Sequence, residues 1–328
     1  MSVDSHGLFE YVAAMSTVHL SSPNQLRLTD SLIIEADARA ALARLPSGSV
    51  QCVVTSPPYW GLRDYGIPGQ IGLEPTMAEF IQSLCEIFAE VKRILKDDGV
   101  LWLNIGDGYT SGNRGWRAPD KKNPNRAMSQ RPDNPPGLKD KDLIGIPWRL
   151  AFALQENGWF LRSDIVWHKP NAMPESVKDR PTRAHEYIFM LTKSARYTYH
   201  HESVKERAEE GTMRNRRSVW SINTSGSGSS HIAAFPEALV TPCILAATEP
   251  GEYVLDPFFG SGTVGVVARR LGRRYIGIEL NPIYVREAER ALERPISLPR
   301  SNGRRYTDYE HEIAPTLLET PSKRRVRA

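Results

Sequence analysis

One stretch, Thr55-Ser56-Pro57-Pro58-Tyr59-Trp60, constrains this chain most: it ends the apolar run Val50 to Val54, interrupted only by Gln51, at a double proline. Proline holds φ near roughly −65° and has no N–H, so neither a helix nor a strand ladder continues through it. The buried strand stops abruptly and presents a hydroxyl, rigid carbonyls and two aromatic rings, Tyr59 and Trp60. Acceptors beside a stacking face suit a planar molecule with an exocyclic amino group, such as a nucleobase. A proline turn whose tyrosine closes the core is the competing reading, and this stretch alone leaves the two level.

Leu32 to Asp37 reads as a strand ending in an acid, Ala38 to Leu45 as a short helix, and Pro46-Ser47-Gly48 as a turn before the strand Val50 to Thr55. Asp37 and Ser56 therefore both lie at carboxyl ends of strands, the edge at which α/β sheets bind ligands. After a glycine-rich loop, Thr76 to Glu79 forms a capping box. The helix behind it carries Phe80, Leu84, Ile87, Phe88, Val91 and Leu95 on one face and is expected to end at Gly99. Val100 to Ile105 is a strand, and 106–141 is a long polar loop insertion.

A helix from Ile146 to Asn157 follows, then strands Phe160 to His168 and Glu186 to Leu191, too close together for a helical crossover and so expected as an antiparallel pair at the sheet edge. Residues 194–230 read as basic and irregular, with Arg214, Arg216 and Arg217 and a flexible Gly/Ser linker at the end. A helix starting at Phe235-Pro236 is expected to kink or break at Pro242. The two flanks, 1–25 and 296–328, read as a flexible N-terminal arm, in which Leu8 to Met15 has the pattern of a short helix, and a loose basic tail.

A second strand–helix–strand unit supplies the other chemistry. Tyr253 to Asp256 is a strand, Pro257-Phe258-Phe259-Gly260-Ser261-Gly262-Thr263 a glycine-rich turn, Val264 to Leu271 a helix, and Arg274 to Leu280 a strand that holds Glu279. Asn281-Pro282 then caps a final helix. An acid about twenty residues beyond the glycines is the arrangement that holds an adenosine ribose. The pyrophosphate-binding glycine spacing is absent, and Asp256 stands where a phosphate would be repelled. A cationic adenosine ligand fits better, and S-adenosylmethionine has those parts.

With these residues assembled, the chain resembles the DNA amino-methyltransferases whose catalytic motif precedes the cofactor motif. Ser56-Pro57-Pro58-Tyr59 matches the catalytic motif, Asp256 to Thr263 the cofactor loop, and Gly277 to Asn281 the ribose-binding strand end. Trp167-His168-Lys169-Pro170-Asn171, His185-Glu186-Tyr187 and Phe235-Pro236-Glu237 are also similar, so the likeness spans Leu32 to Leu292. It implies an α/β Rossmann-like methyltransferase fold, with a seven-stranded mixed sheet, one strand reversed, and a small irregular target-recognition region at 194–230. The catalytic half would be 26–193 and the S-adenosylmethionine-binding half 231–295.

The resemblance further implies transfer of a methyl group to an amine of a base flipped from double-stranded DNA. Ser56, Pro57, Pro58 and Tyr59 would act on the base. Asp37, Phe235, Pro236, Asp256, Pro257, Phe258, Gly260, Gly262, Thr263, Glu279 and Asn281 would hold the cofactor, and Trp60, Lys169, Asn171, Arg214, Arg216 and Arg217 would contact DNA. Serine at position 56 is the usual residue of cytosine-N4 members, where adenine-N6 members mostly carry aspartate. Adenine-N6 is therefore the alternative, ahead of an RNA or protein-glutamine methyltransferase and of a nonenzymatic DNA-binding protein on this fold.

Composition removes other classes. The three cysteines, Cys52, Cys85 and Cys243, lie far apart in apolar segments, which argues against a disulfide framework and fits a cytoplasmic protein. No histidine has ligands at metal spacing, so no metal is expected. No run is long enough to span a bilayer. Pro242-Cys243 resembles the nucleophile pair of cytosine-C5 enzymes, but Cys243 sits among apolar residues with no cation beside it in sequence and reads as core. Double-stranded DNA is the expected partner, with a cognate restriction endonuclease as a second candidate; the oligomeric state is open.

Overall fold

The computed structural model describes residues 16–19, 26–110, 132–208, 211–224 and 235–294. The strands are β1 (Ser16–His19), β2 (Leu32–Glu35), β3 (Val50–Thr55), β4 (Leu95–Ile105), β5 (Phe160–His168), β6 (His185–Thr192), β7 (Glu206–Arg207), β8 (Met213–Arg214), β9 (Val219–Ser221), β10 (Tyr253–Asp256) and β11 (Arg274–Glu279). The helices are α1 (Ala38–Leu42), α2 (Met77–Ile94), α3 (Ile146–Glu156), α4 (Glu237–Ala247), α5 (Thr263–Arg270) and α6 (Pro282–Glu293). No helix among the described residues is long and apolar enough to cross a membrane.

Nine strands of the described residues form one sheet in the order β1-β2-β11-β10-β3-β4-β6-β5-β9. Within it β6 alone is antiparallel to its neighbours, which makes β5 and β6 an antiparallel pair and leaves one strand reversed, both as expected. Period-two patterning sends alternate residues to opposite faces, and both faces are buried. Val53, Leu101, Leu103, Phe189 and Leu191 join α1, α2 and α3 in one core. Cys52, Val54, Val100, Trp102, Ile188 and Met190 join α4, α5 and α6 in the other.

Seven expected strands are all present, and two more extend the sheet. β1 pairs parallel to β2 within the stretch expected to be an arm. β9 pairs parallel to β5, so the β5–β6 pair is not the edge. A strand of three residues carries too little periodicity to be seen in sequence, but Trp220 at its centre is buried, its ring 6.4 Å from that of Trp102. The region 194–230 is correspondingly less irregular than expected, since β7 and β8 also form a small antiparallel pair.

Two helix ends differ from expectation. α2 stops at Ile94 rather than Gly99, because its last carbonyls accept from the turn before β3: Gly48 N–H to Arg93 O at 3.1 Å and Ser49 N–H to Ile94 O at 2.8 Å. Leu95 then turns extended and pairs with Val50. α4 begins at Glu237, with Pro236 as its cap, and runs unbroken through Pro242. A mid-helix proline costs ~3 kcal/mol, and α4 offsets it by burying every residue from Leu239 to Ala247. The expectations for Leu8 to Met15, the Gly/Ser linker, the middle of the 106–141 loop and the 296–328 tail lie outside the described residues.

Candidate active site

The carboxyl ends of β2, β3, β5, β10 and β11, together with the first residues of the reversed β6, open on one cavity of about 660 Å³. Parallel strands bring residues far apart in sequence to the same sheet edge. Asp37, Ser56, Lys169, Glu186, Phe258 and Glu279 all line this space.

At the β3 end, Ser56, Pro57, Pro58 and Tyr59 line the cavity as expected. Tyr59 is held rather than free: its hydroxyl donates to Glu186 Oε2 at 2.8 Å. Its ring lies so close to Gly106 that a Cβ there would stand 2.7 Å from Tyr59 Cε2. Burial and the Glu186 carboxylate push the phenol well above its usual range, while Ser56 and the Gly106 backbone pull the other way. Trp60 departs from expectation. It is buried in the core of the α1–α3 face, and its indole N–H donates to Glu74 O at 2.9 Å, so it does not reach the cavity.

At the β10–β11 end, Glu279 accepts from Gly260 N–H at 2.7 Å through Oε2 and from Asn281 N–H at 2.8 Å through Oε1. A carboxylate has about four acceptor sites, so Glu279 keeps lone pairs for a diol. Asp37 caps α1 by accepting from Arg39 N–H at 2.9 Å, and Asn281 caps α6 by accepting from Ile283 N–H at 2.9 Å; both also line the cavity. Apolar walls from Pro257, Phe258, Ile278 and Phe235 complete a slot whose acids and close glycine suit a cationic adenosine compound.

Four expected cofactor residues lie beneath the slot instead of on it. Gly262 (φ 86°) is required by helix packing, since a Cβ there would meet Ala288 Cβ at 2.9 Å. Thr263 opens α5 and Pro236 caps α4. Asp256 is buried, its Oδ1 accepting from the Thr55 hydroxyl at 2.6 Å and from Phe258 N–H at 3.0 Å, and so it fixes the turn rather than facing a ligand.

Burial pushes the Asp256 carboxyl up to about 7, against the Thr55 and Phe258 bonds that lower it. Between the ordinary aspartate value of ~3.9 and this raised one, the folded chain holds a proton that the unfolded chain has lost. Its contribution to stability therefore falls as pH rises through that window. Asp256→Asn should remove the effect. In denaturant titrations of the ligand-free protein, the variant is expected to gain on wild type by up to about 4 kcal/mol between pH 4 and 8; a constant difference would exclude a buried titrating acid.

The expected DNA contacts divide. Lys169 lines the cavity and pairs with Glu186 Oε1, its ammonium 4.2 Å from the centre of the Trp167 ring. Asn171 is engaged elsewhere, accepting from Thr224 N–H at 2.8 Å and donating to Thr224 O at 3.0 Å, which holds Thr224 against the cavity. Arg214 pairs with Glu206 at 2.9 Å, and Arg216 lies over the Trp220 ring at 4.6 Å. Arg217 is exposed.

Several residues were not legible in advance. Tyr65 and Tyr284 meet edge-on at 6.2 Å and join the glycine-rich loop to α6 at the cavity wall. Asn104 donates to Glu186 Oε2 at 3.2 Å, and Arg183 reaches Asp107 O. Asparagines, arginines and tyrosines have many uses in a fold, and only the tertiary structure brings these together. Cys243 is in the core, its thiol driven far up by burial, as the apolar run suggested.

Comparison with known proteins agrees with this geometry. The N6/N4 DNA methylase family matches residues 50–290. The type II methyltransferase M.Cfr9I of Citrobacter freundii is 65% identical over 280 residues, 85% of this chain and 93% of that protein. Among solved structures, the cytosine-N4-specific PvuII DNA methyltransferase superposes with a TM-score of 0.60 at 21% identity, over 88% of this chain and 93% of that one. The Thermus thermophilus protein TTHA0409, in complex with S-adenosyl-L-methionine, gives 0.53 at 26% identity, over 80% of this chain and 95% of that one.

Proposed function

This chain belongs to the N6/N4 DNA methylase family, with S-adenosylmethionine as its cofactor and DNA as its substrate, and on that premise we propose that it methylates the exocyclic N4 amine of a cytosine flipped out of the duplex. The observation that carries the reading is that the Ser56 hydroxyl and the Glu279 slot open on one and the same cavity. When bound, the cofactor supplies an electrophilic methyl group on a positively charged sulfur. Glu279 and Asn281 would hold its ribose side, and Phe258 and Ile278 its flat ring. An amine cannot reach this depth while paired in a duplex, so the base has to leave the stack.

The amine is a poor nucleophile because its lone pair is delocalised into the ring. Accepting its protons at Ser56 Oγ and Pro57 O pushes density onto nitrogen as the bond forms. Tyr59, pinned by Glu186 and Gly106, orients the base by its ring. Of the expected DNA contacts, Arg217 is exposed, whereas Lys169, Arg214 and Arg216 are paired or stacked within the protein, so Arg217 is the cation we assign to the DNA backbone. Serine at position 56 is the usual residue of the cytosine-N4 members that this chain resembles, and that likeness supports cytosine as the base. The likeness to type II methyltransferases supports an endonuclease of the same site specificity as a candidate partner.

Digesting enzyme-treated DNA to nucleosides and separating them by chromatography with mass spectrometry tests this. N4-methylcytosine is the expected product. N6-methyladenine would overturn the base assignment, and 5-methylcytosine would overturn the mechanism.

A further inference from the structure

Methylation of an amine leaves a proton to be removed, and neither Ser56 nor Pro57 is a base that can keep it. Among the described residues, three carboxylates line the cavity: Asp37, Glu279 and Glu186. Asp37 and Glu279 sit at the cofactor end and accept backbone N–H groups there. Glu186 is different. It stands at the catalytic motif, with its side chain only 17% exposed, and accepts the Tyr59 hydroxyl at 2.8 Å, Asn104 Nδ2 at 3.2 Å and the Lys169 ammonium.

We propose that Glu186 is the terminus of a proton relay that runs from the methylated amine through Ser56 and Tyr59. This rests on the amine-methylating reading above. As nitrogen forms its bond to the methyl carbon and the carbon–sulfur electron pair stays on sulfur, nitrogen comes to carry one proton too many, and a base that takes it in the same transition state speeds the transfer. That proton passes to Ser56 Oγ as the Ser56 proton passes to Tyr59 Oη and the Tyr59 proton to Glu186 Oε2. Both hydroxyls end neutral, each having gained one proton and given one, as hydroxyls can, and Glu186 ends as the neutral acid.

The surroundings fit each part. The raised phenol means that Tyr59 does not hold negative charge, so it serves as a conductor and not as the base. Ser56 and Tyr59 line the same edge of the cavity three positions apart, and Ser56 is among the groups that pull the phenol down, so the two hydroxyl-bearing members stand together at the end of β3. Lys169 keeps a partner when Glu186 is neutralised, because its ammonium also lies over the Trp167 ring. Gly106 admits the arrangement: a Cβ there would stand 3.3 Å from Glu186 Cδ as well as against Tyr59.

The test uses the full-length protein, S-adenosylmethionine and methylatable duplex DNA. Glu186→Gln retains an acceptor for Tyr59 without a base, and is expected to slow single-turnover methylation by about 100-fold. Affinities for S-adenosylmethionine by calorimetry and for DNA by anisotropy should stay within about threefold of wild type, RT ln 3 being well under the ~1.4 kcal/mol of a decade. In Glu186→Ala, formate should restore at least about a tenth of the lost rate, and formamide, of the same shape but not basic, should not. A near-wild-type rate in Glu186→Gln, equal rescue by formamide, or rescue by neither would overturn the relay. All three leave the product of the wild-type enzyme unchanged, whereas failure of the parent reading shows as a different methylated nucleoside from wild type.

Discussion

Ser56→Ala is expected to lower the single-turnover rate of methylation by about 10²–10³-fold, equivalent to about 2.7–4 kcal/mol of transition-state stabilisation, with affinity for S-adenosylmethionine unchanged. Ser56 lies at the end of β3 and the cofactor slot at the ends of β10 and β11, so the two halves of the cavity are built by different strands. The amine gains basicity only as its lone pair leaves the ring, and a hydrogen bond that strengthens along that path acts on rate and not on ground-state binding. Rapid-quench kinetics at saturating DNA, alongside calorimetry with the cofactor, measures both quantities. A variant that loses cofactor affinity but keeps its rate would place Ser56 at the wrong end of the cavity.

The largest effect on stability is expected at Gly277. Phe259 is buried against it, and a Cβ on Gly277 would lie 2.4 Å from the Phe259 ring; one on Gly265 would lie 2.6 Å from the same ring. Phe259 also stacks on Tyr275 at 6.0 Å, and its N–H donates to Ile278 O at 2.9 Å. The ring therefore clips the turn after β10 onto β11, directly below the slot formed by Phe258 and Glu279. Gly277→Val has nowhere to go without moving that turn, and is expected to cost at least about 3 kcal/mol in denaturant unfolding. Phe259→Ala in the same chain should return part of the loss by emptying the space. If Gly277→Val alone unfolds like wild type, the close contact does not constrain the turn.

Much of this protein was legible in its sequence because the signals are local. A double proline stops a strand whatever surrounds it, and β3 ends at Thr55 as read. The Thr76–Glu79 capping box forms with both of its bonds, since a cap needs only its own turn. Period-two and period-three-four patterns placed the seven central strands and the long helices to within a few residues. The order of motifs along the chain, with Ser56 before Asp256 and Glu279, carried the family, and the sheet then gathered both ends into one cavity.

Tertiary structure decided what local pattern cannot carry. Whether Trp60 faces a ligand or the core depends on α2 and its neighbours, which bury it. Asp256 and Glu279 are both acids at strand ends, yet the Thr55 hydroxyl, 201 positions away in sequence, turns one inward while backbone N–H groups hold the other at the slot. β9 is too short to announce itself, and Pro242 is tolerated because α4 is buried along nearly its whole length. The link from Tyr59 to Glu186 joins residues 127 positions apart. Sequence determines what each residue can donate, accept or exclude over a few neighbours; which of those capacities is used is set by the partners that the long-range pairing of β3, β4 and β6 delivers to it.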